Sequence, residues 1–98
     1  MTKGYLIFEV EVFDPEGYDR YRSVGLPVME QYGGRVIAGG GRSQLLEGDT
    51  AKRGDFFVVE FASYEQARSF YYSDAYQQAL PLRIAAAKVR GILLEGVS

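Results

Sequence analysis

Cysteine and histidine are both absent from this 98-residue sequence. Without cysteine there is no disulfide framework, thiol nucleophile or thiolate metal site. Histidine is the usual general base near neutral pH and the commonest transition-metal ligand. Its absence excludes serine–histidine catalysis, histidine-ligated haem and histidine-bound zinc. Any chemistry must use Asp, Glu, Tyr, Arg, Lys, backbone groups or an imported cofactor, and we expect no resident cofactor or metal.

Long apolar runs and a basic excess are missing as well. No segment approaches the roughly 20 apolar residues of a membrane-spanning helix, and the N-terminus enters a strand pattern rather than a signal-peptide core. The net charge of −2 argues against a nucleic-acid footprint. The segment 53–60 is similar to an RNA-recognition strand, but Asp55 replaces a stacking aromatic and Glu60 ends the run. We expect a cytoplasmic protein that binds neither membrane nor nucleic acid.

The first half of the chain has the pattern of a strand, a helix and a second strand. Residues 5–12 alternate as a strand does. Asp14-Pro15-Glu16 combines an N-cap acceptor, an N1 proline and an acid in the first turn, which predicts a helix start. Pro27 is expected to kink or split this helix, and Gly33-Gly34 to end it.

Six of the twelve glycines lie between Tyr32 and Asp49. Arg35 to Ala38 is predicted as the second strand, broken by Gly39-Gly40-Gly41 and resumed through Leu46. A phosphate cradle is one interpretation of the glycines and Arg42, but the spacing matches no nucleotide-binding motif. A bulge or sharp bend in an edge strand is favoured instead.

The second half repeats the pattern. Glu47 to Asp55 is predicted as an exposed turn and 56–61 as the third strand. Ser63 and Gln66 have capping-box spacing for a second helix, with Ala67, Phe70 and Tyr71 on its apolar side. Ser73-Asp74 restarts a helix through Leu80, Pro81 marks a break or a new first turn, and 91–95 is a final short strand.

The resulting order, β-α-β-β-α-β, predicts an α+β, ferredoxin-like fold in a single domain, 1–98. Both helices then cover one face of a four-stranded antiparallel sheet. Alternation assigns an apolar set to the helix-covered face: Leu6, Phe8, Val10, Val36, Ala38, Phe57, Val59, Phe61, Ile92 and Leu94. It assigns a mixed set to the opposite face: Tyr5, Ile7, Glu9, Arg35, Ile37, Phe56, Val58, Glu60, Leu93 and Glu95.

The mixed face is too apolar to remain in water, so we expect a homodimer in which two sheets pack face to face. Its polar side chains then pair with each other or line a cavity. Glu9 and Glu60 are either neutralised by Arg35 or by tyrosine hydroxyls, or have raised pKa values suited to proton transfer. We expect the first for a single carboxylate and a partly polar pocket for the group.

Eight tyrosines form a conspicuous set, concentrated near the two helices. Amphipathic packing explains most of them. Tyr71 and Tyr76 are the best candidates to donate hydrogen bonds into a pocket. Arg83 either closes an ion pair, which we favour, or meets an anionic ligand.

Several short motifs, in order and spacing, resemble a bacterial family catalogued as domain of unknown function 1330. They are Asp14-Pro15 with Tyr18 and Tyr21; Tyr32-Gly33-Gly34-Arg35; Gly40-Gly41; Leu46-Glu47-Gly48-Asp49; Glu60-Phe61 with Ser63; and Ser73 with Tyr76-Gln77 and Arg83. The resemblance spans nearly the whole chain. It implies a ferredoxin-like fold of the dimeric α/β-barrel superfamily, which includes small monooxygenases, haem-degrading enzymes, dismutases and muconolactone-isomerase-like proteins.

The chain departs from the family pattern at four places. Gly39 replaces an arginine, Ala62 and Asp74 replace prolines, and Phe70 replaces a tryptophan. The missing arginine weakens an anion-binding role for the glycine turn. The family supplies no catalytic residue to transfer.

Two functions are consistent with these observations. The first is a homodimeric protein with a pocket at the sheet face for a small organic molecule, with cofactor-independent proton transfer or oxygenation if it is an enzyme. Glu9 or Glu60 would then be the base, Arg35 would stabilise an anion, and Tyr71 or Tyr76, with Arg83, would hold the substrate. The second is a non-catalytic dimeric interaction or binding module whose inward polar residues are structural.

Overall fold

A computed structural model of the chain describes residues 2–48 and 54–97. The order of elements is β1 (Gly4–Val12), α1 (Pro15–Gln31), β2 (Arg35–Gly39), β3 (Asp55–Phe61), α2 (Tyr64–Tyr72), α3 (Asp74–Ile84) and β4 (Ala87–Glu95). The strands form one antiparallel sheet in the order β2-β3-β1-β4. The predicted ferredoxin-like α+β fold is confirmed.

Side-chain caps determine where the helices begin. Asp14 accepts a hydrogen bond from the amide of Gly17 at 3.2 Å, and Ser63 accepts one from Gln66 at 3.0 Å. The predicted capping box is only half formed, because the Gln66 side chain instead donates to the Tyr32 carbonyl at the end of α1, at 2.9 Å. Gln66 therefore joins the start of α2 to the end of α1.

Pro27 was expected to kink or split its helix and Pro81 to mark a break or a new first turn, and neither proline ends its helix. α1 continues through Pro27 to Gln31, and α3 continues through Pro81 to Ile84. A proline removes one intrahelical hydrogen bond but does not end a helix whose neighbouring turns are held by packing. The predicted break at Pro81 is therefore wrong, as is a split at Pro27.

The glycine-rich run contains an edge strand with a bulge. The register of β2 against β3 shifts between Val36 and Ala38, as expected for a bulge at a sheet edge. Gly39 and Gly40 follow with φ of 128° and 77°, in the region that favours glycine. The strand is not resumed: residues 42–46 are irregular. Most of the predicted 47–55 turn lies outside the described residues, and Asp55 begins β3.

The last strand begins at Ala87, four residues earlier than predicted, and its face assignment is reversed. Leu93 pairs with Leu6 and packs against the core, whereas Ile92 and Leu94 pair with Ile7 and Tyr5 on the opposite face. The pairing register of β4 with β1 was not known from the sequence, so the two faces of β4 were assigned by alternation alone. Ala38 likewise pairs with Val58 rather than lying on the helix side, because the bulge reverses the alternation.

The core lies between the sheet and the helices. Its buried members are Leu6, Met29, Val59, Phe61, Ala67, Phe70 and Tyr76. The face opposite the helices, called the open face below, carries Tyr5, Ile7, Glu9, Arg35, Ile37, Ala38, Phe56, Val58, Glu60, Arg90, Ile92 and Leu94. Within the described ranges, no helix combines the length and apolar character needed to span a membrane.

Candidate functional site

The six predicted site residues fall into two groups on opposite sides of the sheet. Glu9, Glu60 and Arg35 lie on the open face. Tyr71, Tyr76 and Arg83 belong to α2 and α3 and lie on the helix side, where they meet one another. The predicted joint site of carboxylates and tyrosines is therefore not formed within one chain.

Glu60 is held by two partners on the open face. Arg35 and Tyr5 pair with it in register on either side. Arg35 Nη2 donates to Oε1 at 3.1 Å and Tyr5 Oη donates to Oε2 at 3.1 Å. The Arg35 hydrogen bond lowers the pKa of Glu60, against the opposing effect of burial. Of the two expectations for this carboxylate, neutralisation by Arg35 and a tyrosine is confirmed and a raised pKa is wrong.

Glu9 is also paired, with a residue that the sequence did not reveal. Arg90 lies opposite Glu9 in the β1–β4 register, and its Nη2 is 3.3 Å from Glu9 Oε1. Arg90 was missed because β4 was predicted to begin at Gly91. Both open-face carboxylates are thus counterions of arginines.

A cavity of about 480 Å³ lies on the other side of the sheet, beneath α1. It forms because α1 packs mainly along α3 rather than directly on a strand. The lining residues are Phe8, Val10, Tyr18, Tyr21, Arg22, Gly25, Leu26, Met29, Val36, Gly40, Phe57, Val59, Phe70, Tyr76, Arg83 and Val89. Most are apolar or aromatic, and no carboxylate occurs among the described lining residues.

The helix-side tyrosines meet Arg83 in one hydrogen-bonded cluster at the cavity wall. Tyr76 is buried, with 1% of its surface exposed, and its hydroxyl is 2.8 Å from that of Tyr21. Arg83 Nη1 donates to the Tyr76 hydroxyl at 2.9 Å. Tyr76 and Arg83 are seven residues apart, so two helical turns place them on the same side of α3. The three residues are called the Tyr–Arg cluster below.

Arg83 was expected to close an ion pair, and that expectation is wrong for the residues that the structure describes. Its guanidinium carbon lies 5.7 Å from the centre of the Phe8 ring, and its Nε is buried without a hydrogen-bond partner. Burial acts against the charge of Arg83, but the oxygens of Tyr76, Tyr21 and Tyr71 outweigh it and raise the guanidinium pKa. Arg83 is therefore a charged group at the cavity wall whose partners among the described residues are neutral.

Tyr21 was identified from the sequence as a packing residue, and in the structure it also lines the cavity. Burial raises the pKa of its hydroxyl well above the ordinary value, and Tyr76 adds to this. Tyr18, whose ring lies 5.4 Å from that of Tyr21, has its pKa raised by burial as well. Both hydroxyls are neutral donors at physiological pH. One signal was available: Gly25, one turn after Tyr21, gives the Tyr21 ring room, since a Cβ there would lie 3.0 Å from Cε1.

Metal binding has no support in the described ranges, which contain no group of three acidic side chains placed to hold an ion. The polar groups at the cavity are hydroxyl and guanidinium donors instead. Such donors bind oxygen atoms of a ligand, above all anionic ones.

The fold and site together define a ferredoxin-like α+β protein with a cavity between its helices and its sheet. Residues 3–97 match the family described as Domain of unknown function (DUF1330), and the chain belongs to that family. No curated protein matches the sequence significantly.

Solved structures with the same fold are similar over nearly the whole chain. RPA0582, a protein of unknown function from Rhodopseudomonas palustris, is 22% identical with a TM-score of 0.80, covering 99% of this chain and 84% of its own. SnoaB from Streptomyces nogalater, a cofactor-independent oxygenase, is 8% identical with a TM-score of 0.66, covering 100% and 96%.

A dimeric ferredoxin-like protein of unknown function from Jannaschia sp. CCS1 is 12% identical with a TM-score of 0.60, covering 94% and 97%. At these identities the similarity of all three structures establishes the fold alone.

Proposed function

We propose that this protein is a homodimer and that each subunit binds a small organic molecule in the cavity beneath α1. The observation that carries this function is the Tyr–Arg cluster, which places a charged group with unused donor capacity against an otherwise apolar wall. Ligand pockets have this composition: mostly apolar lining with a few convergent polar groups, in volumes of about 300–1,000 Å³. Tyr21, Tyr76 and Arg83 are the proposed binding residues. Tyr71, also predicted from the sequence, packs against Tyr76 but is not among the residues that line this cavity.

The proposed dimer is supported by the exposed apolar residues of the open face. Ile37, Ile92 and Leu94 there are 45%, 47% and 45% exposed, and they continue into partly buried apolar neighbours. An apolar area of this kind on a soluble protein marks an interaction surface. The Jannaschia protein and a Bacteroides fragilis protein of the same fold are both described as dimeric. In the proposed dimer the Glu60–Arg35 and Glu9–Arg90 pairs lie in the interface.

Catalysis by Glu9 or Glu60 has less support than binding. Both carboxylates are across the sheet from the cavity and each is paired with an arginine. The described cavity lining contains no carboxylate to act as a base. We therefore propose binding as the function, and place these two residues in the assembly of the dimer.

Cofactor-independent oxygenation is the second candidate. The donors of the Tyr–Arg cluster suit an oxygen atom on which negative charge develops during a reaction. SnoaB shows that a protein of this fold has such an activity. Oxygen uptake, measured with an electrode after addition of each ligand that raises Tm, separates an enzyme from a binding protein.

A thermal-shift screen against organic acids, quinones and phenols tests the proposed site. A ligand at ten times its Kd stabilises the folded state by about 1.4 kcal/mol, which raises Tm by roughly 5–10 °C in a domain of this size. The blocking variant is Val36→Trp, because Val36 lines the cavity and is 48% exposed. The matched control is Val24→Trp, on an α1 residue that is 44% exposed and outside the lining.

We expect the ligand-induced shift to survive in the Val24→Trp protein and to fall by at least half in the Val36→Trp protein. Equal shifts in both variants would move the binding site away from this cavity. The absence of any shift across the whole screen would contradict the proposed function.

A further inference from the structure

The Tyr–Arg cluster has more hydrogen-bond donors than acceptors. The contact between the Tyr21 and Tyr76 hydroxyls uses one of their two hydroxyl hydrogens, whichever residue donates. Arg83 has only donors, and it occupies the Tyr76 oxygen from the other side. One hydroxyl hydrogen of the pair is left over, and the buried Arg83 Nε–H has no hydrogen-bond partner among the described residues.

The charge of the cluster also has no counterion in the part of the chain that the structure describes. Four other arginines lie within 4.0 Å of a carboxylate: Arg20, Arg22, Arg35 and Arg90. All four have exposed side chains, between 56% and 74%, whereas Arg83 is partly buried. Among the described residues, Arg83 contacts the Tyr76 hydroxyl and the Phe8 ring instead of a carboxylate. Removing a charge from water without a counterion is costly, so a group that supplies a negative charge beside Arg83 gains more than it would in water.

The apolar part of the cavity lining indicates the chemistry of the rest of the ligand. The rings of Tyr18, Phe57 and Phe70 face the cavity together with aliphatic side chains from the sheet and α1. Such walls bind apolar and ring-shaped molecules by burial of surface and by ring contacts. A cavity of about 480 Å³ accommodates a molecule of one to three rings.

We infer that the ligand of this cavity is an apolar, ring-containing molecule with one anionic oxygen group, a carboxylate, phenolate or enolate. The anionic oxygen accepts from Arg83 and from the free hydroxyl hydrogen of the Tyr21–Tyr76 pair. The rings lie against the apolar wall beneath α1. This inference rests on the proposed binding function and narrows it to a chemical class. A neutral molecule of the same shape satisfies the donors but leaves the charge of Arg83 uncompensated.

Isothermal titration calorimetry at pH 7 with 1-naphthoate and 1-naphthamide tests the inference, because the two probes share a ring system and differ in charge. We expect the wild-type protein to bind the carboxylate about tenfold more tightly, a difference of about 1.4 kcal/mol. In Arg83→Met the apolar stem remains and the charge is lost, so the preference should fall below about twofold. Arg83→Lys, which keeps the charge, should retain part of it.

Arg20→Met is the control, since Arg20 is 64% exposed and outside the cavity lining, and it should keep the full preference. Equal binding of both probes by the wild-type protein would overturn the anionic class and leave the cavity as a binding site. Binding of neither probe up to millimolar concentration would overturn this inference and, with a negative screen, the proposed function. A preference lost in Arg22→Met but kept in Arg83→Met would place the anion at Arg22 and overturn the role of Arg83.

Discussion

Tyr76 shows how a single residue serves both the core and the site. Its ring centre lies 4.5 Å from that of Phe70 and 5.5 Å from that of Tyr71, within the buried cluster. Its hydroxyl lies between Tyr21 and Arg83. A buried tyrosine needs a partner for its hydroxyl, and here the partners are the residues at the cavity. Packing of the ring therefore fixes the position of the polar cluster.

The raised pKa of Tyr21 predicts a loss of stability in alkaline solution. Above pH 10 the tyrosines of the unfolded chain lose their protons, whereas Tyr21 in the folded chain keeps its own. The unfolded state then binds fewer protons, so the free energy of unfolding falls as pH rises, by about 1.4 kcal/mol per pH unit for one group. The free energy of unfolding, measured by urea denaturation between pH 10 and 12, should fall less steeply with pH for Tyr21→Phe than for the wild-type protein.

Tyr72→Phe is the matched control, because Tyr72 is 62% exposed. Its slope should equal that of the wild-type protein. Equal slopes for all three proteins would show that the Tyr21 hydroxyl is not protected in the folded state.

At the residue scale, alternation predicted the open-face set correctly on the central strands and failed at the edges. Arg35 and Glu60 were placed together because the first residues of β2 keep register with β3. The bulge at Ile37 then reverses the alternation, and no residue type at that position predicts a bulge. An ion pair was favoured for Arg83 because it is the commoner outcome for an arginine, and only the folded chain shows the tyrosine hydroxyl that lies beside it.

At the element scale, the junction between α2 and α3 positions the site. Ser73 ends α2 and caps α3: its hydroxyl donates to the Phe70 carbonyl at 2.7 Å and accepts from the Tyr76 amide at 3.1 Å. The same residue thus orients the first turn of α3, which carries Tyr76. The sequence predicted both helices and this restart from Ser, Asp and Pro positions, since caps are local chemistry.

Ser73→Ala should lower the free energy of unfolding by about 1–2 kcal/mol, because it removes an N-cap together with a second hydrogen bond. In a domain of this size that corresponds to a fall in Tm of roughly 4–16 °C. Ser69→Ala is the control, since Ser69 is an exposed residue within α2 and alanine is the better helix former. Urea and thermal denaturation of the two variants measure the difference. A change no larger than that of Ser69→Ala would contradict the capping role.

The length of β4 and the continuation of two helices through proline were less predictable than the helix caps. Ala87 to Arg90 contain no strand signal strong enough to extend the 91–95 segment, and their strand conformation comes from pairing with β1. Likewise, α1 and α3 continue through proline because tertiary packing holds the turns on either side. Elements that depend on long-range partners are the ones that local patterns misplace.

At the scale of the whole molecule, the proposed dimer makes a direct prediction. Ile92→Lys places a charge near the middle of the open face, opposite Ile7, where it would be buried without a partner in a face-to-face pair. Sedimentation equilibrium at micromolar concentration should give twice 10.9 kDa for the wild-type protein and 10.9 kDa for this variant. Val24→Lys, on an α1 residue that is 44% exposed, is the control and should remain dimeric. A wild-type mass of 10.9 kDa would contradict the dimer.

Adjacent residues of β1 face opposite sides of the sheet: Phe8 reaches the cavity, while Ile7 and Glu9 lie on the open face. In the proposed dimer, positions that contact a ligand and positions that contact the second subunit therefore alternate along one strand. Substitution at a cavity position of β1 is then expected to change which ligand is bound without altering the subunit interface. On the proposed function, ligand preference and assembly are separately variable along this strand.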